Sequence, residues 1–219
     1  MTVGSFEPSF NSLPRTLPIF PLSGVLLLPR CRLPLNIFEP RYLSMTEAAL
    51  GAQRMVGVVQ PCDPDAGGDR PPLCSIGCAG RISSFSETDD GRYLVILTGV
   101  CRFSVAAELP AKTPFRQVVP DWSPYRGDLE EGDDSRIDRQ RLFLTLEAYF
   151  EARGLDTDWQ VLESSRDEKL VNSLSMSCPF DATQKQALLE AGSLGKRARL
   201  MISFMEMAVL QCDESASTH

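Results

Sequence analysis

Five prolines interrupt the apolar segment LPIFPLSGVLLLPRCRLPLNIFEPRY at residues 17–42, and their spacing constrains the fold more than any other feature of the chain. Proline lacks a backbone N–H and breaks helices, and within sheets it is confined to strand starts, edges and bulges. Arg30 and Arg32 also end the apolar run well before the roughly 20 residues of a membrane span. The segment therefore predicts short, sharply bent strands, as in a small curled sheet or pseudo-barrel.

The first half of the chain is typical of β structure. Strands are expected at residues 17–20, 24–28, 32–38, 54–60, 74–87, 91–109 and 114–122. One helix is expected from Pro40, which suits a first helical turn, to about Ala52. TDDG at 88–91 predicts a hairpin turn, and Gly99 predicts a tight bend between two strands. Residues 62–72, rich in Pro, Gly and Asp, predict a loop.

The second half is typical of helices. GDLEEGDD at 127–134 has five acids in eight residues and predicts a linker or a solvated helix entry. Helices are expected at residues 135–153, 166–177 and 181–190, followed by a last helix capped by Ser193. DATQ at 181–184 has the spacing of a capping box. The expected domains are a flexible lead-in at 1–16, a β-barrel at 17–126, a helical part at 127–212 and a disordered tail at 213–219.

Composition excludes several classes of function. The net charge of −7, with only four lysines, argues against a surface that coats phosphates. The only histidine is His219, so a catalytic Ser-His-Asp or Cys-His arrangement is not expected. The start of the chain lacks the basic and apolar regions of a secretory signal. Together with seven cysteines, an odd number, this predicts reduced thiols, a cytoplasmic location and no membrane partner.

Two stretches partly match motifs for bound groups, and neither match is complete. Gly195-Lys196 lacks the remaining residues of a phosphate-binding loop, so the glycines there predict a turn between helices. Cys74 and Cys78 form one close cysteine pair, with Cys62 and Cys101 as conceivable partners. A structural zinc site normally needs two such pairs. Alternation along a strand places Cys74 and Cys78 on one face, which predicts core thiols and neither metal nor cofactor.

Two further stretches each have a functional and a packing interpretation. In FEPRY at 38–42, Glu39 and Arg41 form either a functional pair in a groove or a local ion pair at a helix start stapled by Phe38. LMISFMEMAV at 200–209 is either a methionine-rich binding face or a core stripe. Helix-start signals and helical periodicity favour the packing interpretation in both cases.

The segment at 17–50 resembles the opening of the LON substrate-binding domain, which typically begins L-P-[LIV]-x-P-L and continues with a proline-interrupted strand pair and a helix. IGCAGRISSFSETDDGRYLVILTGVCRFSV at 76–105 resembles its second half, in which a glycine bend leads to an arginine, here Gly99 and Arg102. The similarity extends over roughly residues 15–122, with a weaker match at 179–202. IFEPRY at 37–42 is more similar to stand-alone LON-domain proteins than to the full protease.

The resemblance implies an α+β fold: a PUA-like β pseudo-barrel with one inserted helix, followed by a helical bundle. In the ATP-dependent protease La such a region precedes an ATPase module and a Ser-Lys peptidase module, whose motifs this sequence lacks. The expected function is therefore non-catalytic binding of exposed apolar polypeptide segments or a protein partner, linked to ATP-dependent proteolysis. Residue type and position select the candidate binding residues Leu22, Pro29, Phe38, Arg41, Tyr42, Phe115 and Trp122.

Three alternatives remain open from the residues. PUA-like barrels elsewhere bind RNA, so a nucleic-acid-binding module is the main rival, although the acidic net charge weighs against it. A hydrolase would need a clustered acid–base pair with shifted pKa values. A metal-stapled module would use Cys74 and Cys78.

Overall fold

The computed structural model describes residues 9–63, 70–130 and 137–216. It divides the chain into two compact units, Met1–Glu131 and Gly132–His219. The first unit is rich in β-strands and the second is helical. The sequence places this division a few residues earlier, between residues 126 and 127. Among the described residues, no helix is both long and apolar enough to cross a bilayer.

The described part of the first unit contains six strands and one α-helix. These are β1 (Leu17–Pro21), β2 (Arg32–Ile37), α1 (Pro40–Leu50), β3 (Met55–Val59), β4 (Ile76–Glu87), β5 (Tyr93–Glu108) and β6 (Arg116–Asp121). Five strands close into a ring in the order β5-β4-β3-β1-β6, because β6 pairs with both β1 and β5. β2 pairs with the first half of β5 and lies outside the ring. This confirms the pseudo-barrel with one inserted helix.

The lengths and directions of the strands explain how the ring closes. β5 has 16 residues, enough to pair with β2 along its first half and with β6 along its second. Only β1 and β3 are parallel among the described pairs, and α1 lies in the connection between them. A parallel pair needs such a crossover, whereas the antiparallel pairs do not.

The segment at 24–28 is not a strand, so that expectation was wrong. Its three leucines, Leu26, Leu27 and Leu28, are at most 2% exposed. The chain then turns at Arg30, which has a positive φ of 64°. An apolar run of this length is compatible with any buried backbone, so the periodicity of the sequence could not distinguish a strand from a packed loop.

Gly99 does not separate two strands, because β5 continues through it. The backbone N–H of Arg30 donates to the Gly99 carbonyl at 2.8 Å, and the N–H of Gly99 donates to the Cys31 carbonyl at 2.8 Å. A Cβ at position 99 would lie 2.0 Å from the Leu28 carbonyl oxygen. Glycine is therefore required by the close approach of the 28–31 backbone, and the strand itself carries only a β-bulge here.

The described part of the expected flexible lead-in, residues 9–16, is folded against the barrel. Phe10–Ser12 forms a short 3-10 helix, and Leu13 is 8% exposed within the barrel core. The indole Nε1 of Trp122 donates to the Pro14 carbonyl at 3.0 Å. Apolar anchors thus order this segment, whereas residues 1–8 lie outside the described residues.

The expected acidic linker at 127–134 also differs from the structure at its start. Ser123–Leu129 forms a 3-10 segment, and the Asp128 carboxylate makes a bidentate ion pair with Arg102 on β5. The side chains of the two residues are only about a tenth exposed, at 11% and 10%. Sequence composition suggested solvation here because it cannot show that one of the five acids has a buried partner. Residues 131–134 lie outside the described residues.

The second unit contains five helices in its described part. These are α2 (Arg139–Arg153), α3 (Trp159–Ser164), α4 (Asp167–Ser177), α5 (Ala182–Glu190) and α6 (Leu194–Ala216). The short helix α3 was not expected. The capping box at the start of α5 is confirmed, since Asp181 and Gln184 bond reciprocally. Residues 213–216, expected in the disordered tail, continue α6, while residues 217–219 lie outside the described residues.

The core of the second unit is formed by α2, α4, α5 and α6. The methionine stripe of α6 is mainly a core stripe, because Met201 and Met205 are fully buried while Met207 is 47% exposed. Aromatic rings extend this core, with Tyr149 stacked on Phe180 at a centroid distance of 6.2 Å. Burial of apolar surface therefore accounts for the periodicity of these helices.

Arg197 on α6 is a buried cation, 6% exposed. Its Nε donates to the Leu188 carbonyl at 2.9 Å and its Nη1 to Asn172 Oδ1 at 2.8 Å. Leu188 lies in the last turn of α5, where carbonyls lack partners within the helix. We expect Arg197→Met to lower the free energy of unfolding by about 2–3 kcal/mol, because both acceptors lose their donor. Urea denaturation of the two proteins measures this loss.

Arg199→Met is the matched control, since Arg199 is an exposed arginine on the same helix. It should change the free energy of unfolding by less than about 0.5 kcal/mol. Equal losses for the two variants would show that Arg197 does not tie α6 to α4 and α5.

Candidate functional site

A cleft of about 720 Å³ opens on the first unit. It is bordered by the end of β1, the start of α1, the segments around Pro61 and Pro71, and the connection from β5 to β6. Its apolar lining consists of Pro21, Pro61, Pro71, Pro114, Ala111, Tyr42 and Phe115. Its polar lining consists of Glu39, Arg41, Arg70, Arg116 and Thr113. Prolines and aromatic rings therefore form much of the wall, with arginines beside them.

The start of α1 positions two of the charged groups. Pro40 occupies the first helical turn, and Glu39 precedes it with extended backbone. The Glu39 carboxylate does not cap the helix; Arg41 Nε donates to its Oε2 at 3.0 Å, and Arg41 Nη2 lies 2.9 Å from the same oxygen. The expected local ion pair is therefore present, and it lies in the cleft. The Arg41 guanidinium also lies 4.6 Å from the centre of the Tyr42 ring.

Tyr42 connects the cleft to the packed interior. Its side chain is 7% exposed, and its ring packs on Phe20 at a centroid distance of 4.2 Å. Burial raises the pKa of the Tyr42 hydroxyl above its usual value, and the Glu39 charge adds to this, whereas Arg41 and Arg116 oppose it. The hydroxyl therefore remains protonated at neutral pH and can donate a hydrogen bond.

Arg116 holds another part of the cleft wall in place. Its Nη1 donates to the Pro71 carbonyl at 2.7 Å, and its Nε and Nη2 donate to the two oxygens of Glu108 at 2.9 and 2.6 Å. This hydrogen bonding from Arg116 holds the pKa of the Glu108 carboxyl below its usual value. Arg70 Nη2 contacts the same carboxylate at 3.2 Å. Glu108, Arg116 and Arg70 thus form one charged cluster, which connects β5, β6 and the segment at Pro71.

Three of the seven candidate residues expected from sequence lie together in this cleft: Arg41, Tyr42 and Phe115. The other four do not line it. Leu22 is half-buried and bonds to the Val59 carbonyl, while Pro29 is buried near Gly99. Phe38 is 62% exposed, and Trp122 packs on Phe103 in the core at a centroid distance of 5.5 Å. Their role in binding stays a prediction.

Sequence inspection missed Arg70, Arg116 and the prolines at 61, 71 and 114 as cleft residues. These residues come from segments that are far apart in the chain, and folding of the barrel brings them together. FEPRY contained a usable signal, because its helix-start pattern located Glu39 and Arg41 at the start of α1, which borders the cleft. The arginine at position 116 carried no local signal.

Two of the cysteines in the first unit, Cys78 and Cys101, are packed in its interior. Cys78 and Cys101 are at most 1% exposed, and burial raises the pKa of both thiols, that of Cys101 to about 12. Cys74 is half-buried and precedes β4, so it does not share the strand with Cys78 as expected. Within residues 9–63, 70–130 and 137–216, no group of three or more His, Cys, Asp or Glu side chains could hold a metal ion.

Comparison with known proteins gives consistent results. A family model described as the ATP-dependent protease La (LON) substrate-binding domain matches residues 16–207. A Lon protease from Flavobacterium johnsoniae is 23% identical over 92% of this chain and 25% of its own length. Lon protease 2 from Sorangium cellulosum is 26% identical over 97% of this chain and 28% of its own length. The chain thus spans about a quarter of the length of these relatives.

Solved structures agree with the fold. The crystal structure of a Lon N-terminal domain protein from Xanthomonas campestris matches with a TM-score of 0.63 and 22% identity, covering 87% of this chain and 98% of that one. The N-terminal domain of a Mycobacterium avium complex Lon protease matches with a TM-score of 0.56 and 16% identity, over the same shares. At these identities the likeness establishes the architecture.

Proposed function

The chain belongs to the LON substrate-binding domain family, and from this premise we propose that its cleft captures exposed apolar polypeptide segments for ATP-dependent proteolysis. The observation that carries the proposal is the convergence of Arg41, Tyr42 and Phe115 with four prolines in one cleft. The sequence similarity covers the substrate-binding region and not the ATPase or peptidase regions. Capture without cleavage is therefore the role that we propose for this chain.

The composition of the cleft supports binding of a polypeptide. A binding site for a small molecule or side chain typically has a volume of about 300–1,000 Å³, an apolar lining and a few fixed polar groups. The cleft fits this description, with a volume of about 720 Å³ and a wall of prolines and aromatic rings. Proline rings are rigid and lack an N–H, so such a wall offers apolar surface that loses little conformational freedom on binding. The proposed setting is the cytoplasm, where seven thiols would stay reduced.

Nucleic acid has less support as the ligand. The arginines of the cleft contact carboxylates, Arg41 with Glu39 and both Arg70 and Arg116 with Glu108. These contacts reduce the positive potential that a phosphate backbone would meet, and the whole chain carries −7.

The proposal predicts binding of an unfolded model polypeptide and not of its native form. We expect binding to survive a change from about 0.05 to about 0.5 M salt, because apolar contacts are not screened. Ala111→Trp should weaken this binding by at least about tenfold, because Ala111 is an exposed residue of the cleft lining and the bulky indole would block entry of the polypeptide. Fluorescence anisotropy with the labelled polypeptide measures both effects.

Ala152→Trp is the matched control, because Ala152 is an exposed alanine on α2 in the other unit. It should leave affinity unchanged. Equal weakening by the two substitutions would place capture outside the cleft. Failure of the wild-type protein to bind the unfolded form would overturn the proposed function.

A further inference from the structure

The cleft carries positive charge on an acidic protein. Its lining includes Arg41, Arg70 and Arg116 but a single acid, Glu39. Glu108 pairs with Arg116 and is counted as well. The three arginines and two glutamates together have a net charge of +1. The whole chain has a net charge of −7, so the sign of the cleft is opposite to that of the protein. A ligand that enters it is therefore expected to carry negative charge.

The three arginines differ in what they can offer a ligand. All three guanidinium nitrogens of Arg116 contact Glu108 or the Pro71 carbonyl, and its side chain is 11% exposed. Arg116 therefore holds the cleft wall in place, since its guanidinium nitrogens are all in contact with protein groups. Arg41 is 40% exposed. Its Nε and Nη2 contact the Glu39 carboxylate. Arg70 is 48% exposed and makes one contact with Glu108, at 3.2 Å.

Arg41 is also held in a position from which it can contact a negatively charged ligand. The Glu39 carboxylate fixes one side of its guanidinium, and the face of the guanidinium lies over the Tyr42 ring at 4.6 Å. A side chain restrained in this way loses less rotamer freedom when a ligand binds. The Tyr42 hydroxyl adds a neutral donor next to it. Carboxylates accept charge-assisted hydrogen bonds from arginine, often through both oxygens at once.

Resting on the proposed function, we infer that the cleft selects polypeptide segments in which an acidic side chain lies beside an apolar one. The apolar side chain packs against the prolines of the cleft wall, among them the exposed Pro114, and the carboxylate contacts Arg41 and Arg70. A single net positive charge between apolar walls suits one carboxylate better than a run of phosphates, since each further phosphate would meet Glu39 or Glu108. Selection thus depends on two adjacent side chains of the bound polypeptide, one acidic and one apolar.

Three labelled peptides test this inference. They share one apolar core and blocked termini, and they differ only in one flanking residue, which is Glu, Gln or Lys. We expect the Glu peptide to bind about fivefold more tightly than the Gln peptide at low salt, as for a favourable exposed ion pair, and the Lys peptide to bind most weakly. Raising the salt concentration should bring the affinity for the Glu peptide toward that for the Gln peptide.

Arg41→Met should abolish the preference for Glu over Gln, so that the Glu and Gln peptides bind this variant with equal affinity. Arg92→Met is the matched control, because Arg92 also pairs with a carboxylate two residues earlier, Asp90 at 2.8 Å, on the β4–β5 turn outside the cleft lining. It should retain the preference. Thermal unfolding of both variants establishes that they are folded.

The outcomes separate this inference from the proposed function. Equal affinity for the Glu and Gln peptides overturns the inference and leaves apolar capture standing. A preference that persists in Arg41→Met overturns the role of Arg41. Binding of a fourth peptide with phosphoserine at the flanking position, without binding of the Glu peptide, overturns the inference that the selected group is a carboxylate. Absence of binding to all peptides overturns the proposed function and this inference with it.

Discussion

Gly99→Ala is expected to lower the free energy of unfolding of the β-rich unit by about 3 kcal/mol or more, because the added methyl group meets backbone. The new Cβ would lie 2.0 Å from the Leu28 carbonyl oxygen and 3.2 Å from the Cα of Pro29. Relief requires the 28–31 segment to move away from β5. That movement would break the two backbone hydrogen bonds between Gly99 and this segment and would expose the buried leucines beside it. Urea or thermal denaturation measures the loss.

Gly127→Ala is the control for this substitution. A Cβ at position 127 meets nothing within 4 Å, and the residue does not have a positive φ. Its effect should stay within about 0.5 kcal/mol. A Gly99→Ala protein as stable as Gly127→Ala would show that the 28–31 segment moves freely, which contradicts the close packing described above.

Arg102→Met is expected to destabilise the same unit by about 3–5 kcal/mol, because it leaves the Asp128 carboxylate buried without its cation. Arg102 Nε and Nη2 contact the two oxygens of Asp128 at 2.9 and 2.8 Å, and the backbone N–H of Arg102 donates to the same carboxylate. The guanidinium also lies 4.9 Å from the centre of the Tyr125 ring. Loss of the cation should therefore release the 123–129 segment from β5.

The double variant Arg102→Met with Asp128→Leu should be more stable than Arg102→Met alone, since no buried charge remains. Arg141→Met is the exposed comparison, because Arg141 pairs with Glu206 in a similar bidentate way but is 57% exposed. It should cost less than about 1 kcal/mol. A double variant no more stable than Arg102→Met would indicate that packing of the arginine, and not its charge, stabilises the segment.

Local sequence signals predicted most of the elements correctly. Prolines at 18, 21 and 34 indicated short strands, and β1 and β2 have five and six residues. The capping box at 181–184 located the start of α5. These signals succeeded because a missing N–H, a cap or a periodicity acts within a few residues. The proline spacing suggested a small curled sheet or pseudo-barrel, and the family resemblance implied the pseudo-barrel specifically.

Three of the seven candidate residues share one cleft, and the role of all seven in binding stays a prediction. FEPRY placed Arg41 and Tyr42 beside a helix start, and Phe115 was chosen by residue type. Trp122 was chosen on the same basis, yet it lies in the core with its N–H bonded to Pro14. Residue type cannot distinguish an aromatic ring beside a cleft from one in a core, because both are buried: Phe115 is 6% exposed and Trp122 is 8% exposed.

The sequence by itself determined most of the order of strands and helices, apart from the expected strand at 24–28 and the unexpected helix α3, because these elements depend on residue identity and short spacings. Only the tertiary structure decided that Gly99 lies against Leu28, that Asp128 pairs with Arg102 and that Arg41 shares a cleft with Arg116. Each of these contacts joins segments that are distant in the chain. Their energies arise from close packing and desolvated charge, which exist only once the barrel has closed.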